Sequence, residues 1–205
     1  MIARLLLILA LSGLGAGGAA ADIGPFGAPR ASYTADATIT VGRQSVAARI
    51  FGDGPRERRE TIIQGVPQIF LLDQRARTAV LLMPGARLAI EADIRTVPGA
   101  GEAIDMRWTT RPLGAETVAG VHATRHRVDG VNARGDRLSG EVWLTRENIP
   151  VRVELEFRGA RRRTAIRQEL HNLKVGPVDP RLLRVPAGFR RLPMPAGLPS
   201  FAPRR

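Results

Sequence analysis

From Val151 to Arg158 the chain alternates without a break: Val151, Val153, Leu155 and Phe157 are apolar, while Arg152, Glu154, Glu156 and Arg158 are charged. A period of two predicts a strand with one buried and one wet face. Segments of the same kind run from Tyr33 to Val41, Ser45 to Gly52, Arg58 to Gln64, Gln68 to Asp73, Thr78 to Met83, Ala103 to Arg111, Val121 to Val128, Ser139 to Thr145 and Thr164 to Val175. Residues suited to hairpin turns separate them: Gly42-Arg43, Gly52-Asp53-Gly54-Pro55, Asp73-Gln74, Pro84-Gly85, Asp129-Gly130, Arg134-Gly135-Asp136 and Glu147-Asn148. A spacing of about ten residues predicts a mainly β fold, an antiparallel meander of about nine to eleven strands.

Two runs depart from the alternation, Ile69-Phe70-Leu71-Leu72 and Ala79-Val80-Leu81-Leu82-Met83. Continuous apolarity means that both faces of these strands are covered. Either a helix or loop packs over the sheet, or one face lines a pocket for an apolar ligand; the same residue types serve both. Helical segments are few and short. Arg87 to Arg95 suits a short helix or a strand, and Asp179 to Arg184 suits a single turn after Pro177. The glycine-rich Val97 to Glu102 marks a seam between two halves of the sheet, and the tail from Leu192, with four prolines, reads as extended or flexible.

The opening residues change the compartment. Arg4 precedes the apolar run Leu5 to Leu11, and Ala19-Ala20-Ala21 fits a signal-peptidase site, so residues 1–21 read as a cleaved signal peptide and the mature chain as an exported, periplasmic protein. The apolar stretch is shorter than the roughly 20 residues of a membrane-spanning helix. There is no cysteine, which excludes disulfides, thiolate metal sites and a lipobox.

The 205 residues carry a net charge of +12, and the basic side chains are arginine except for Lys174. Such a charge suits nucleic acid, but an exported protein rarely meets it, the arginines are spread along the chain, and few aromatics are present to stack on bases. Two explanations remain. Coding bias replaces lysine throughout, or guanidinium groups meet anionic envelope components. The one true cluster, Arg161-Arg162-Arg163, falls in an expected turn and is the candidate contact for an anionic head group.

No catalytic or metal motif is found. His122 and His126 lie four residues apart on an expected strand, roughly 13 Å of chain, too far to share a metal bound at about 2 Å; His171 has no acidic ligand at motif spacing. None of Ser12, Ser32, Ser45, Ser139 and Ser200 stands in a nucleophile elbow. Glu154 and Glu156 face outward on their strand, which leaves Glu141 and Glu169 as the other members of any glycosidase-like pair. Gly99-Ala100-Gly101 lacks the third glycine of a dinucleotide loop. Trp108 and Trp143 read as core or strand-face residues, with a ligand clamp as the alternative. The pattern is that of a binder, not an enzyme, with no catalytic residue, metal or cofactor.

The segment Leu113 to Thr124 (LGAETVAGVHAT), the later Gly140 to Arg152 (GEVWLTRENIPVR) and the closing Asn172 to Phe189, with Asp179-Pro180 and Pro186-Ala187-Gly188-Phe189, form a pattern. It resembles a family of exported bacterial proteins related to the outer-membrane lipoprotein-sorting carriers, the LolA/LolB-like half barrels, over roughly residues 33–192. The resemblance implies a half-open antiparallel barrel with one or two short helices, whose concave apolar face receives acyl chains. With the signal peptide (1–21) and the Pro-rich tail (192–205) read from their own residues, the expected division leaves an N-terminal loop segment (22–32) and a half-barrel domain (33–191). The expected lining is Ile39, Val41, Ile50, Phe70, Leu72, Leu81, Val153, Leu155 and Phe157. The expected partners are a lipid or lipidated protein, with transient contact at a membrane surface; the alternative is an envelope protein-interaction or sensor domain that uses the arginine-rich surface.

Overall fold

The computed structural model describes residues 24–96, 105–160 and 162–194. Twelve strands form a single sheet: β1 (Tyr33–Val41), β2 (Gln44–Asp53), β3 (Arg56–Ile63), β4 (Val66–Asp73), β5 (Thr78–Met83), β6 (Leu88–Asp93), β7 (Arg107–Val118), β8 (Val121–Val131), β9 (Arg137–Leu144), β10 (Pro150–Gly159), β11 (Arg162–Val175) and β12 (Arg190–Pro193). Their order is β12-β6-β5-β4-β3-β2-β1-β11-β10-β9-β8-β7, and all pairings are antiparallel except the parallel contact of β12 with β6. The result is an unclosed, curled half barrel. It is made of two meanders, β1 to β6 and β7 to β11, joined at the centre where β1 pairs with β11. The expected seam at Val97 to Glu102 and the expected signal peptide lie outside the described residues.

The alternation in the sequence is the alternation of the two faces. Along β1, Tyr33, Ala35, Ala37, Ile39 and Val41 are buried on one face, and in β10 Val153, Leu155 and Phe157, whereas Val151, at the bulge before Arg152, is buried with Trp143. Each such side chain gives roughly 1.5–3 kcal/mol on leaving water if it is large and aliphatic or aromatic. Arg87 to Arg95 resolves into β6 flanked by single 3-10 turns at Pro84–Ala86 and Ile94–Thr96. The turn expected near Asp179 is a 3-10 turn at Pro180–Leu183, and the Asp179 carboxylate accepts from the Arg181 N–H at 2.9 Å. No helix among the described residues is long and apolar enough to cross a membrane.

The two unbroken apolar runs are sandwiched. On the concave face Phe70, Leu72, Ala79 and Leu81 pack with Ile94. On the convex face Leu71, Val80, Leu82 and Ala89 are covered by Val185 and Phe189 from the segment after β11. That segment then turns to run beside β6 as β12, with Leu192 and Pro193 in the strand. It is β12 that raises the sheet to twelve strands.

Candidate functional site

Register decides which side chains share a face. Leu155 stands opposite Ile166, which stands opposite Val41; Val153 stands opposite Gln168, which stands opposite Ile39. On the other side Ile50 faces Arg59, Arg59 faces Phe70, and Phe70 faces Leu81. Ile39, Val41, Ile50, Phe70, Leu72, Leu81, Val153, Leu155 and Phe157 therefore all lie on the concave face, and all nine are buried. Apart from Val41 they fall in three clusters: Phe70, Leu72 and Leu81 at one side of the half barrel, Ile39 and Ile50 in the middle, and Val153, Leu155 and Phe157 on the other side. Trp108 touches both outer clusters and bridges them. Its ring lies flat over Gly130, its cross-strand partner, where a Cβ would come within 2.7 Å of the indole. Tyr33 covers Gly52 in the same way.

A polar group interrupts this apolar face. Glu57 and Arg59, 7% and 3% exposed, project from β3 between the apolar clusters. The Arg59 Nε donates to Glu57 Oε1, an Arg59 terminal nitrogen donates to Gln168 Oε1 at 3.3 Å, and the Tyr33 hydroxyl donates to Glu57 Oε2 at 3.2 Å. Buried charges persist when they are paired and hydrogen-bonded. The sequence reading passed over this network, though Arg56 to Glu60 is a run of five charged residues in the middle of a sheet, a pattern that leaves no apolar face for β3 to bury. Burial, together with the Glu57 carboxylate, holds the Tyr33 hydroxyl well above its ordinary value of 10.0. A proton kept by the folded state but lost by the unfolded one makes stability fall as pH rises. Unfolding at increasing pH should therefore show a loss of stability that begins near pH 10 and is absent in Tyr33→Phe; an identical alkaline slope in both proteins would contradict it.

The N-terminal segment lies against the concave face. Phe26 packs on the cluster of Val153, Leu155 and Phe157, edge-on to His126 at 5.0 Å between ring centroids. The segment is held by the turn between β9 and β10. Asn148, with a left-handed backbone (φ 66°), donates through its side-chain amide to the Phe26 carbonyl and, at 2.7 Å, to the Gly27 carbonyl. The Arg30 N–H donates to the Glu147 carbonyl at 2.7 Å. Of the other histidines, His122 meets Thr117 and His171 lies beside Glu169, so the three are engaged separately.

Around Trp143 the convex face carries paired charges beside a small apolar cluster of Val118, Ala123 and Val151. Trp143 is buried between the Arg125 and Arg152 guanidinium groups, each 5.4 Å from a ring centroid, and its indole N–H donates to Glu116 at 2.7 Å. Arg125 and Arg152 in turn donate to Glu141 and Glu169, each at 2.8 Å. Trp143 is thus a strand-face residue stacked between cations. Of the arginine cluster, Arg161 lies outside the described residues, Arg162 opens β11, and Arg163 is an exposed strand residue that donates to Glu156 at 2.6 Å. Reversal of direction at every hairpin places this turn at the same end of the half barrel as the β1–β2, β5–β6 and β8–β9 turns, where Arg43, Arg87, Arg134 and Arg137 are exposed. At the opposite end four arginines pair with acids, Arg56 with Asp53, Arg95 with Asp93, Arg146 with Glu147 and Arg181 with Asp179, while Arg75 in the β4–β5 turn is exposed there.

No family model matches the chain, and no curated protein matches it. Solved structures do. An uncharacterized conserved protein from Thermus thermophilus superposes with a TM-score of 0.50 at 12% identity, over 80% of this chain and 91% of that one. A LolA superfamily protein from Nitrosomonas europaea matches with a TM-score of 0.43 at 10% identity, over 76% and 91%. A chain of the Pseudomonas aeruginosa MucA/MucB complex matches with a TM-score of 0.46 at 15% identity, over 75% of this chain and 56% of that one, so this chain spans little more than half of its length. Similarity at these identities is similarity of fold.

Proposed function

We propose that the concave face receives an apolar ligand, a lipid or a lipoprotein acyl chain, and that the protein is a non-catalytic periplasmic carrier or binding protein exported by the signal peptide at residues 1–21. The observation that carries this reading is the gathering of nine apolar side chains, from β1, β2, β4, β5 and β10, on one face of an unclosed sheet. A methylene moved from water into such a groove contributes about 0.8 kcal/mol, so a chain of ten methylenes gains about 8 kcal/mol before ordering costs. Phe26, tethered through Asn148, occupies part of this face and would give way to the ligand. The arginine-bearing end, Arg161 to Arg163 included, supplies cations for a head group. The unclosed half barrel is also the architecture that the sequence resemblance to the lipoprotein-sorting carriers implies.

Native mass spectrometry and lipid extraction of protein purified from its own host test the proposal. Co-purified lipid is expected, and Phe26→Ala should take up a fluorescent fatty acid faster than the parent while remaining folded. A lipid-free protein that takes up no fatty acid in either form would sink the idea.

The exposed Arg43, Arg87, Arg134 and Arg137 at one end favour a second reading, an envelope protein-interaction or sensor domain. A protein partner captured at low salt and lost at high salt would support this electrostatic interface, whereas lipid retained at both would support the carrier.

A further inference from the structure

The sheet is split along part of one internal seam. β2 pairs with β1 to the very end of the hairpin, Gln44 opposite Val41, and β3 pairs with β4 as far as Ile63 opposite Val66. Between β2 and β3, however, the ladder runs only from Asp53 opposite Arg56 to Ala48 opposite Thr61. Beyond it the two hairpin arms diverge. Among the described residues, Gln44–Ala47 has a strand partner on the β1 side alone, and Ile62 and Ile63 on the β4 side alone. The Ala47 carbonyl accepts from the Thr61 hydroxyl at 2.7 Å, a side-chain bond where the ladder stops.

A cleft of about 780 Å³ lies there, lined chiefly by convex-face residues of both arms, among them Ser45, Ala47, Arg49, Glu60, Ile62 and Pro67. None of the nine concave lining residues borders it, while Ala37, Val46, Ala48 and Gln68 reach it from the concave side of the gap. Its charged residues are already engaged within the protein: Glu60 with Arg58 at 2.7 Å, Asp36 with Asn172 at 2.8 Å, and Arg49 over the Phe51 ring at 5.3 Å. Ile62 at the rim is 68% exposed. Gln68, which also lines the cleft, has a buried side-chain oxygen with no hydrogen-bond partner among the described residues.

We infer that this cleft is a docking site for an extended, uncharged segment of a partner polypeptide, which adds as a strand to the free edge of β2 or β3. The choice of polypeptide over lipid rests on the hydrogen-bond inventory. Unpaired ladder groups buried beneath a hydrocarbon chain would each cost about 1–3 kcal/mol, whereas an extended backbone pairs with them and uses alternate side chains for contact with Ile62 and Pro67. Glu60 is ion-paired with Arg58, and Asp36 and Arg49 stand opposite each other across β1 and β2, so the cleft carries little net charge for an occupant to offset. The proposal stands independently of the lipid groove.

The absence of cysteine allows a direct test. Ser45→Cys, a near-isosteric change at an exposed cleft position, provides a single thiol for disulfide tethering of an alternating valine–threonine heptapeptide that carries one cysteine. Release by graded reductant is compared with that of the same peptide N-methylated at alternate backbone nitrogens and with that of decanethiol; Arg167→Cys, on the central strand β11, is the control site. The free peptide should remain attached to Ser45→Cys at about tenfold more reductant than its N-methylated copy, the worth of roughly one hydrogen bond, with no such preference at Arg167→Cys. Amide exchange at residues 44–47 or 62–63 should slow on capture. Equal release of the two peptides, stronger retention of decanethiol, or the same preference at the control site would each overturn the inference, the decanethiol result in favour of a lipid.

Discussion

Replacing Arg59 with methionine is expected to cost about 3–5 kcal/mol of stability, lowering Tm by roughly 10 °C. The loss comes from what is left behind more than from what is removed. Glu57 is buried, and without Arg59 the group that still donates to it among the described contacts is the Tyr33 hydroxyl. An uncompensated carboxylate at the floor of an apolar face must either remain charged at great cost or take up a proton. The double variant Glu57→Gln/Arg59→Met should recover most of the loss, because a neutral amide still accepts from Tyr33. Denaturant unfolding of the two single variants and the double variant checks this. Additive effects, with the double variant less stable than Arg59→Met, would show that the pair is not coupled as described.

Gly140→Ala is expected to be about as damaging, at least about 3 kcal/mol, for a steric reason. Gly140 lies in β9 opposite Leu155, and a Cβ built on it would stand 2.0 Å from the Glu154 carbonyl oxygen and 2.8 Å from the Leu155 Cα. Both are backbone atoms of the neighbouring strand, so no side-chain rotation relieves the contact, and β9 and β10 must separate locally. Urea unfolding should show the loss, and amide exchange should accelerate in β9 and β10 before it does in β4 and β5. A variant of parental stability would mean that the two strands are further apart than the register implies.

These sites also show where the sequence was readable. The parity of Val153, Leu155 and Phe157 followed from their spacing, because a strand between two other strands with one wet face has few ways to be written, but the bulge that sets Val151 with Trp143 did not. The double coverage of Leu71, Leu72, Leu81 and Leu82 was visible as well, but not its source: Val185 and Phe189 lie about a hundred residues away, and no local pattern announces such a contact. Glu57 and Arg59 were missed for the opposite reason. Charged residues at alternate positions read as a solvated face, and only the apolar strands on either side turn that face inward. The docking of Phe26 through Asn148 was likewise invisible, since DIGPFGAPRAS carries turn residues and no period. The splay between β2 and β3 depends on where a ladder stops, which neither hairpin encodes by itself.

The central pairing of β1 with β11 has a kinetic side. The two meanders consist of hairpins between neighbours in the chain and can form locally as each hairpin closes. The ladder that joins them brings Tyr33 opposite Val175 and Val41 opposite Ile166, closing a loop that contains nearly all the rest of the domain. Non-local closure of this kind slows folding. The last strand needed at the middle of the sheet also emerges late in synthesis, so the open edges of β1 and β10 stay exposed until β11 arrives. In this protein the order of synthesis and the order of strands in space are opposed at this central seam, as they are at the short β12–β6 edge, and aggregation during folding should begin at the centre.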